Sequence, residues 1–197
     1  MGLSNEWEQI YLQDYKSLPW FNLPFSKELQ SLLNSLDKEK KLIVTGCGAG
    51  DTAHRLNKLG FNNIRGYDIS KNAIGVARKN FPRLNFKVSK TEEIKDKNCN
   101  IFDQYVVHHI SKSGLKRYIN KLDKMGDNII CIFFYGKKEK RKSIIKKRGK
   151  VYHHNPKKIE RLFRNHILTK QASYSVRPNV PDKEIKYTAI AQHYIKK

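Results

Sequence analysis

Three glycines, Gly46, Gly48 and Gly50, stand at alternate positions in "KKLIVTGCGAGD", between an apolar run and a stretch of helical pattern. Glycine takes positive φ freely and has no Cβ to hold a ligand away, so this segment is suited to lay bare backbone against a bound molecule. An acid answers it: "NIRGYDI" ends the next apolar run with Asp68, 18 residues after Gly50. A carboxylate at that place can accept both hydroxyls of a ribose. Further on, "FDQYVVHHIS" gathers Tyr105, His108 and His109. An imidazole, with an ordinary pKa of about 6.5, can take a proton from a thiol, hydroxyl or amine. The competing reading of the two histidines is structural, one ring packed inward and the other bonded to backbone. Trp20, after Pro19, can stack over a cationic ligand or simply close the core. Cys47, between two of the glycines, reads as a small filler rather than a nucleophile.

Two ligand classes use a glycine-rich strand-to-helix turn. A dinucleotide sets its pyrophosphate on the helix N-terminus and wants Gly-x-Gly-x-x-Gly. S-adenosylmethionine has no phosphate and uses the turn for close approach alone. The position of the third glycine of the dinucleotide pattern is Asp51 here. A carboxylate there repels a pyrophosphate and not a sulfonium, so the residues favour the second ligand.

The elements that must position these groups alternate β-like and helical, the sign of an α/β layered fold. Strands are expected at 41–45, 63–69, 84–89, 101–107 and 128–135, with His108 and His109 at the end of the fourth. Helices are expected at 51–59, 70–80 and 111–125, with Ser70 as an N-cap. "NIICIFFY", apolar throughout, reads as a central strand covered on both faces. Asn155 then caps a helix that has Pro156 first and runs to about residue 166. Two strands at 168–176 and 185–195, joined through "RPNVPD", close the series as a hairpin. That ending is unusual for a dinucleotide-binding fold.

Composition bounds the rest. At 197 residues, with 39% hydrophobic and 11% aromatic content, the chain suits one globular domain. Its longest apolar run is far shorter than the roughly 20 residues of a membrane span, and "MGLSNEWEQI" has no signal-peptide pattern; the expectation is a cytoplasmic protein. Three scattered cysteines, Cys47, Cys99 and Cys131, suggest neither a disulfide framework nor zinc. The second histidine pair, His153 and His154, has no carboxylate at ligand spacing, so no metal site is expected. The net charge is +22. Part of it fits a compositional bias, since Lys, Ile and Asn supply 65 residues. Residues 112–164, however, carry 18 basic and 4 acidic side chains, net +14. A surplus beside the carboxyl edge of the sheet can steer an anionic acceptor; a solvated lysine surface is the plainer reading.

"LIVTGCGAG", "GYDISKNAIGVARKNFP" and "FDQYVVHHIS" resemble three motifs of the class I S-adenosylmethionine-dependent methyltransferases, over about residues 41–136. The segment "EWEQIY" to "LPWF" is similar to the lid of small-molecule members, the thiopurine and tellurite-resistance type. The resemblance implies a Rossmann-like three-layer sandwich with a seven-stranded, mostly parallel sheet and an antiparallel C-terminal hairpin strand. It implies a single domain over 1–197: a helical lid (1–37), a cofactor-binding core (38–136), a basic loop (137–150) and a terminal helix with hairpin (151–197). By position, Gly46, Cys47, Gly48 and Gly50 would approach S-adenosyl-L-methionine and Asp68 would bind its ribose. Ile69 would cover the adenine, Thr91 and Glu92 would meet its edge, and Trp20 would lie over the cofactor from the lid. Tyr105 to His108 would line the methyl-transfer side, with Tyr105, His108 and His109 the catalytic candidates. The sequence departs from the family in three places. Val44 and Lys90 replace acids, and the segment 103–108 is short.

The expected activity is methyl transfer to a small-molecule acceptor, anionic if the basic surplus serves it. Two alternatives stand beside it: methylation of RNA held through 137–150, and a protein of this fold that binds without transferring. Aligning acceptor, methyl and leaving sulfur can supply several kcal/mol, up to about 7–11 in good cases, so no acid–base pair is obligatory.

Overall fold

Alternation along one short strand sets the layers. In β1 (Leu42–Thr45), Leu42 and Val44 face one way and Ile43 the other. Leu42 and Val44 join a core built with α2 (Lys27–Asn34), α3 (Asp51–Lys58) and α4 (Lys71–Asn80). Ile43 joins a second core built with α5 (Leu115–Met125) and α6 (Pro156–Leu162). The result is three layers, helices on both faces of a sheet, as continuous apolar strands require. These are described by a computed structural model covering residues 3–12, 14–134, 151–152, 154–177 and 187–197. The basic stretch 137–150, His153 and the linker after Arg177 lie outside the described residues.

The remaining strands are β2 (Ile64–Asp68), β3 (Asn85–Val88), β4 (Cys99–Gln104), β5 (Gly126–Phe134), β6 (His166–Val176) and β7 (Tyr187–Lys196). Their order is β3-β2-β1-β4-β5-β7-β6. β7 runs antiparallel to both β5 and β6, and the other neighbours pair in parallel. This is the mostly parallel seven-stranded sheet with an antiparallel hairpin that the family resemblance implies. The order turns back between β1 and β4, and the crevice at such a switch point is where open α/β sheets bind ligands. The short helix α1 (Leu3–Ile10) precedes the sheet and reaches this edge. No helix among the described residues is long and apolar enough to cross a membrane.

Three expected boundaries shift. β4 ends at Gln104, not 107, because Tyr105 takes φ +63° and breaks the extended run; His108 and His109 therefore stand in a 3-10 turn (Val107–His109) and not on a strand. α5 starts at Leu115, its Gly114 cap carried by a hydrogen bond from Gly114 N–H to the Ser111 hydroxyl (3.1 Å). α6 ends at Leu162 and His166 opens β6 instead of ending the helix. The expected caps are present: Ser70 Oγ accepts from Ala73 N–H (3.0 Å) and Asn155 Oδ1 from Lys157 N–H (2.9 Å). Between α5 and β5 there is no connecting residue at all, Met125 ending one and Gly126 starting the other. A Cβ on Gly126 would lie 2.6 Å from Ile129 Cγ1 and 2.9 Å from Ile101 Cδ1, so any side chain at this corner would force those isoleucines to shift.

His166 enters β6 because of a buried polar knot. Asp123, on α5, accepts from His166 Nδ1 (2.7 Å), from the Asn165 N–H (3.1 Å) and side-chain amide (2.9 Å), and from Arg164 N–H (3.3 Å). The other ring nitrogen of His166 lies 3.0 Å from the Gly126 carbonyl. Buried donors left without a partner cost about 1–3 kcal/mol, and more around a charge. We expect Asp123→Ala to lower the unfolding free energy by about 3 kcal/mol, read as a shift in the urea midpoint at unchanged slope.

Candidate active site

The three glycines build a corner of left-handed backbone, with φ +57° at Gly46, +54° at Gly48 and +87° at Gly50. Cys47 N–H returns to the Tyr67 carbonyl (3.0 Å), and Gly50 N–H to the Cys47 carbonyl (3.0 Å), so the corner folds against β2. Gly46 and Gly48 line a cavity of about 510 Å³ at the switch point. Gly50 is not in its lining. A Cβ there would meet Phe86 at 2.8 Å and Phe81 at 3.0 Å, so this glycine lets α3 start close against α4 and β3. The Cys47 thiol also turns away, into the packing around Gly66, where burial pushes its pKa well up.

Asp68 ends β2 at the same cavity. One carboxylate oxygen accepts from Gly48 N–H (2.9 Å) and the other from Ser70 N–H (2.9 Å). Burial raises its pKa, with these two N–H groups opposing the shift. Ile69, Thr91 and Glu92 stand beside it in the lining, with Lys90 and Ser89. Their loop is fixed from beneath by Asp96. That carboxylate accepts from Lys41 Nζ (2.8 Å), Arg65 Nη1 (2.9 Å) and the hydroxyl of Tyr67 (2.6 Å), whose ring lines the cavity.

Rings form much of the remaining wall. Tyr105 stacks on Phe134 (4.7 Å, 18°), Phe134 on His108 (4.8 Å, 29°), and His108 touches His109 (4.3 Å). His109 meets Trp7 edge-on (4.8 Å), and Trp7 meets Trp20 (5.9 Å). Leu23, Ile110, Val151 and Val176 also line the cavity. Burial pushes the Tyr105 phenol up to about 12, so it is a neutral donor and not a base. Under the floor, Asp103 accepts from the Thr45 hydroxyl (2.8 Å) and from the Tyr118 hydroxyl. Its burial is complete and pushes its carboxyl up to about 6.

Every sequence-derived site candidate except Gly50 thus reaches one cavity. Sequence reasoning missed several of its walls: Trp7, Tyr11, Tyr67, Tyr118 and Phe134. Tyr118 had a signal, since it sits with Leu115, Ile119 and Leu122 on the apolar face of α5. Asp51 does more than its charge suggests: its carboxylate accepts from Asn22 N–H (2.9 Å) and ties the segment before α2 to α3.

A methyltransferase-domain family profile matches residues 36–195, and the chain belongs to that family, of the class I S-adenosylmethionine-dependent type. Among solved structures it is similar to a SAM-dependent methyltransferase from Anabaena variabilis, 17% identical, TM-score 0.77, covering 100% of this chain and 96% of that one. A protein described for conversion of a disulfide bond into a thioacetal group during echinomycin biosynthesis is 14% identical, TM-score 0.77, covering 100% and 92%. Magnesium protoporphyrin IX methyltransferase from Synechocystis, with bound SAM, is 17% identical, TM-score 0.66, covering 85% and 76%. At such identities the likeness is one of fold. A search of curated proteins finds no match.

Asp96 supplies a pH signature. Burial alone would raise its carboxyl, but Lys41, Tyr67 and Arg65 outweigh that and bring it down to about 2. A depressed carboxylate stabilises the fold above its unfolded pKa of about 3.9, and the contribution is lost as pH falls towards 2. We expect Asp96→Asn to cost about 2 kcal/mol at pH 7 and to flatten the stability loss between about pH 4 and 2, measured by urea denaturation across that range.

Proposed function

We propose that the protein transfers a methyl group from S-adenosylmethionine to a small, neutral, largely apolar acceptor. The observation that carries this reading is a single cavity that brings together glycine backbone, a buried carboxylate and a wall of rings. Gly46 and Gly48 suit close approach of the cofactor, Asp68 its ribose, Ile69 the adenine face, Thr91 and Glu92 the adenine edge, with Trp20 above. The fit rests on Gly46, Gly48 and the buried Asp68 carboxylate lining one cavity. A Cβ at Gly46 would stand 2.3 Å from Val106 Cγ2, and at Gly48 2.4 Å from the Tyr11 hydroxyl, so both positions also need glycine for the protein's own packing. When bound, S-adenosylmethionine supplies an electrophilic sulfonium methyl.

The chain then has three tasks. Tyr105, Phe134 and Val151 exclude water from the acceptor, which strengthens electrostatics around it. An imidazole nitrogen of His108 or His109 receives the proton that the acceptor's heteroatom gives up. The rings hold the acceptor in line, and towards so reactive an electrophile alignment matters more than acid–base help. Within the described lining one Lys or Arg, Lys90, stands against Asp51, Asp68 and Glu92. Asp68 and Glu92 in that count serve the cofactor, and the rings of Tyr105 and Phe134 favour an apolar acceptor.

Charge supports a second reading, methylation of RNA. Lys116, Arg117, Lys124, Lys157, Lys158 and Arg161 are exposed on α5 and α6. Turnover to S-adenosylhomocysteine separates the two: neutral aromatic thiols or phenols turned over independently of salt support the first, and an RNA acceptor lost steeply as salt rises supports the second. For the cofactor site, calorimetric titration with S-adenosylhomocysteine should give micromolar affinity, weakened about 100-fold (about 2.7 kcal/mol) by Asp68→Ala. Equal affinity in a variant that melts like wild type would refute the ribose assignment.

A further inference from the structure

Glu8 lies on α1, within the segment "EWEQIY" but with no role read for it there, and among the described residues it makes the densest set of polar contacts between α1 and the rest of the chain. Its carboxylate accepts from Lys71 N–H (2.8 Å), Asn72 N–H (3.0 Å) and the Ser70 hydroxyl (2.9 Å), and its carbonyl from the Asn72 side-chain amide (3.0 Å). The first N–H groups of a helix have no partner inside it and carry the positive end of its dipole. Here a carboxylate more than 60 residues away in sequence takes that place on α4. Burial alone would raise its pKa; the Asn72 and Lys71 N–H groups and the Ser70 hydroxyl outweigh burial and hold it below the usual carboxylate range.

Helix α4 already has its own cap, Ser70 Oγ accepting from Ala73 N–H. Glu8 is therefore not needed to start α4; what it fixes is α1. An eight-residue helix is too short to persist on its own, so its docking contacts set where it lies. The neighbours of Glu8 show what depends on that. Trp7 stands in the cavity wall against His109. Tyr11, just past the helix, puts its hydroxyl over Gly48 and accepts there from Trp20 Nε1 (3.3 Å). Ser70 joins the two systems, its hydroxyl on Glu8 and its N–H on Asp68.

We propose, on the reading that the cavity holds S-adenosylmethionine, that Glu8 is a positioning residue: it latches α1 across the cofactor end, using the first turn of α4 as the catch, and governs cofactor entry and release. Cofactor exchange then requires the carboxylate to leave Lys71, Asn72 and Ser70, and closure restores Trp7, Tyr11 and, through Ser70, the setting of Asp68.

The chain has two tryptophans, Trp7 and Trp20, and both line the cavity, so native fluorescence reports the latch without a label. The test uses the full chain as wild type, Glu8→Ala and Glu8→Gln. Without ligand, acrylamide quenching should rise severalfold in Glu8→Ala, with a far-UV spectrum and thermal midpoint near wild type. Glu8→Gln, which keeps one acceptor oxygen and loses the charge, should fall between. In stopped flow, Glu8→Ala should release S-adenosylhomocysteine about tenfold faster, the change lying in the off-rate. Quenching and release both at wild-type values would overturn the proposal. Wild type that binds no S-adenosylhomocysteine would refute the cofactor reading and the kinetic role with it. The quenching arm, which needs no ligand, decides separately whether Glu8 closes α1. Should Glu8→Ala melt well below wild type, Glu8→Gln carries that arm, and wild-type quenching in it would sink the latch.

Discussion

One carboxylate holds the ligand edge of this sheet in register. Asp68 receives the N–H of Gly48 from the corner after β1 and the N–H of Ser70 from the corner after β2. Those corners belong to adjacent parallel strands, and parallel pairing alone says nothing about how the loops beyond it meet. The carboxylate decides that. It also makes the glycines necessary twice over, because the corner must turn left-handed to bring Gly48 N–H around and must stay bare where Tyr11 lies on it. Charge-assisted bonds of this kind are stronger than neutral ones. With them in place, α3 and α4 start at fixed points and the cavity has its floor.

Much of this was legible from the residues. The apolar runs located the strands, because a strand buried on both faces has little freedom in composition; "NIICIFF" sends Ile130 and Ile132 into one core and Ile129, Cys131 and Phe133 into the other. The caps at Ser70 and Asn155 followed from local hydrogen-bond chemistry. What failed was local chemistry overridden by tertiary contact. Nothing in "FDQYVVHHIS" announces that Tyr105 leaves extended backbone at φ +63° and ends the strand, since tyrosine gives no warning of a left-handed turn. The local pattern puts His166 in a helix because its partner, Asp123, is 43 residues earlier. The long-range contacts of Glu8 and Asn22 are hidden for the same reason.

Charge and cavity tell different stories, and the difference is informative. A chain of net +22 invites an anionic partner. The described lining of the cavity nevertheless carries three carboxylates and one lysine. Long-range potential acts on approach, while the lining acts on what stays. A basic exterior around a ring-walled interior therefore suits a protein whose surface and whose pocket answer to different selective demands.

The junction of α5 and β5 has a consequence for how such a molecule can diversify. With no residue between Met125 and Gly126, and Ile129 and Ile101 pressed where a Gly126 side chain would stand, helix and central strand form one continuous arm. Tyr118 rides on that arm, so its side of the chamber tolerates little drift. Other parts of the lining come from short, separately anchored pieces near Trp7, Trp20 and Val151, whose hold on the scaffold is a handful of hydrogen bonds and ring contacts.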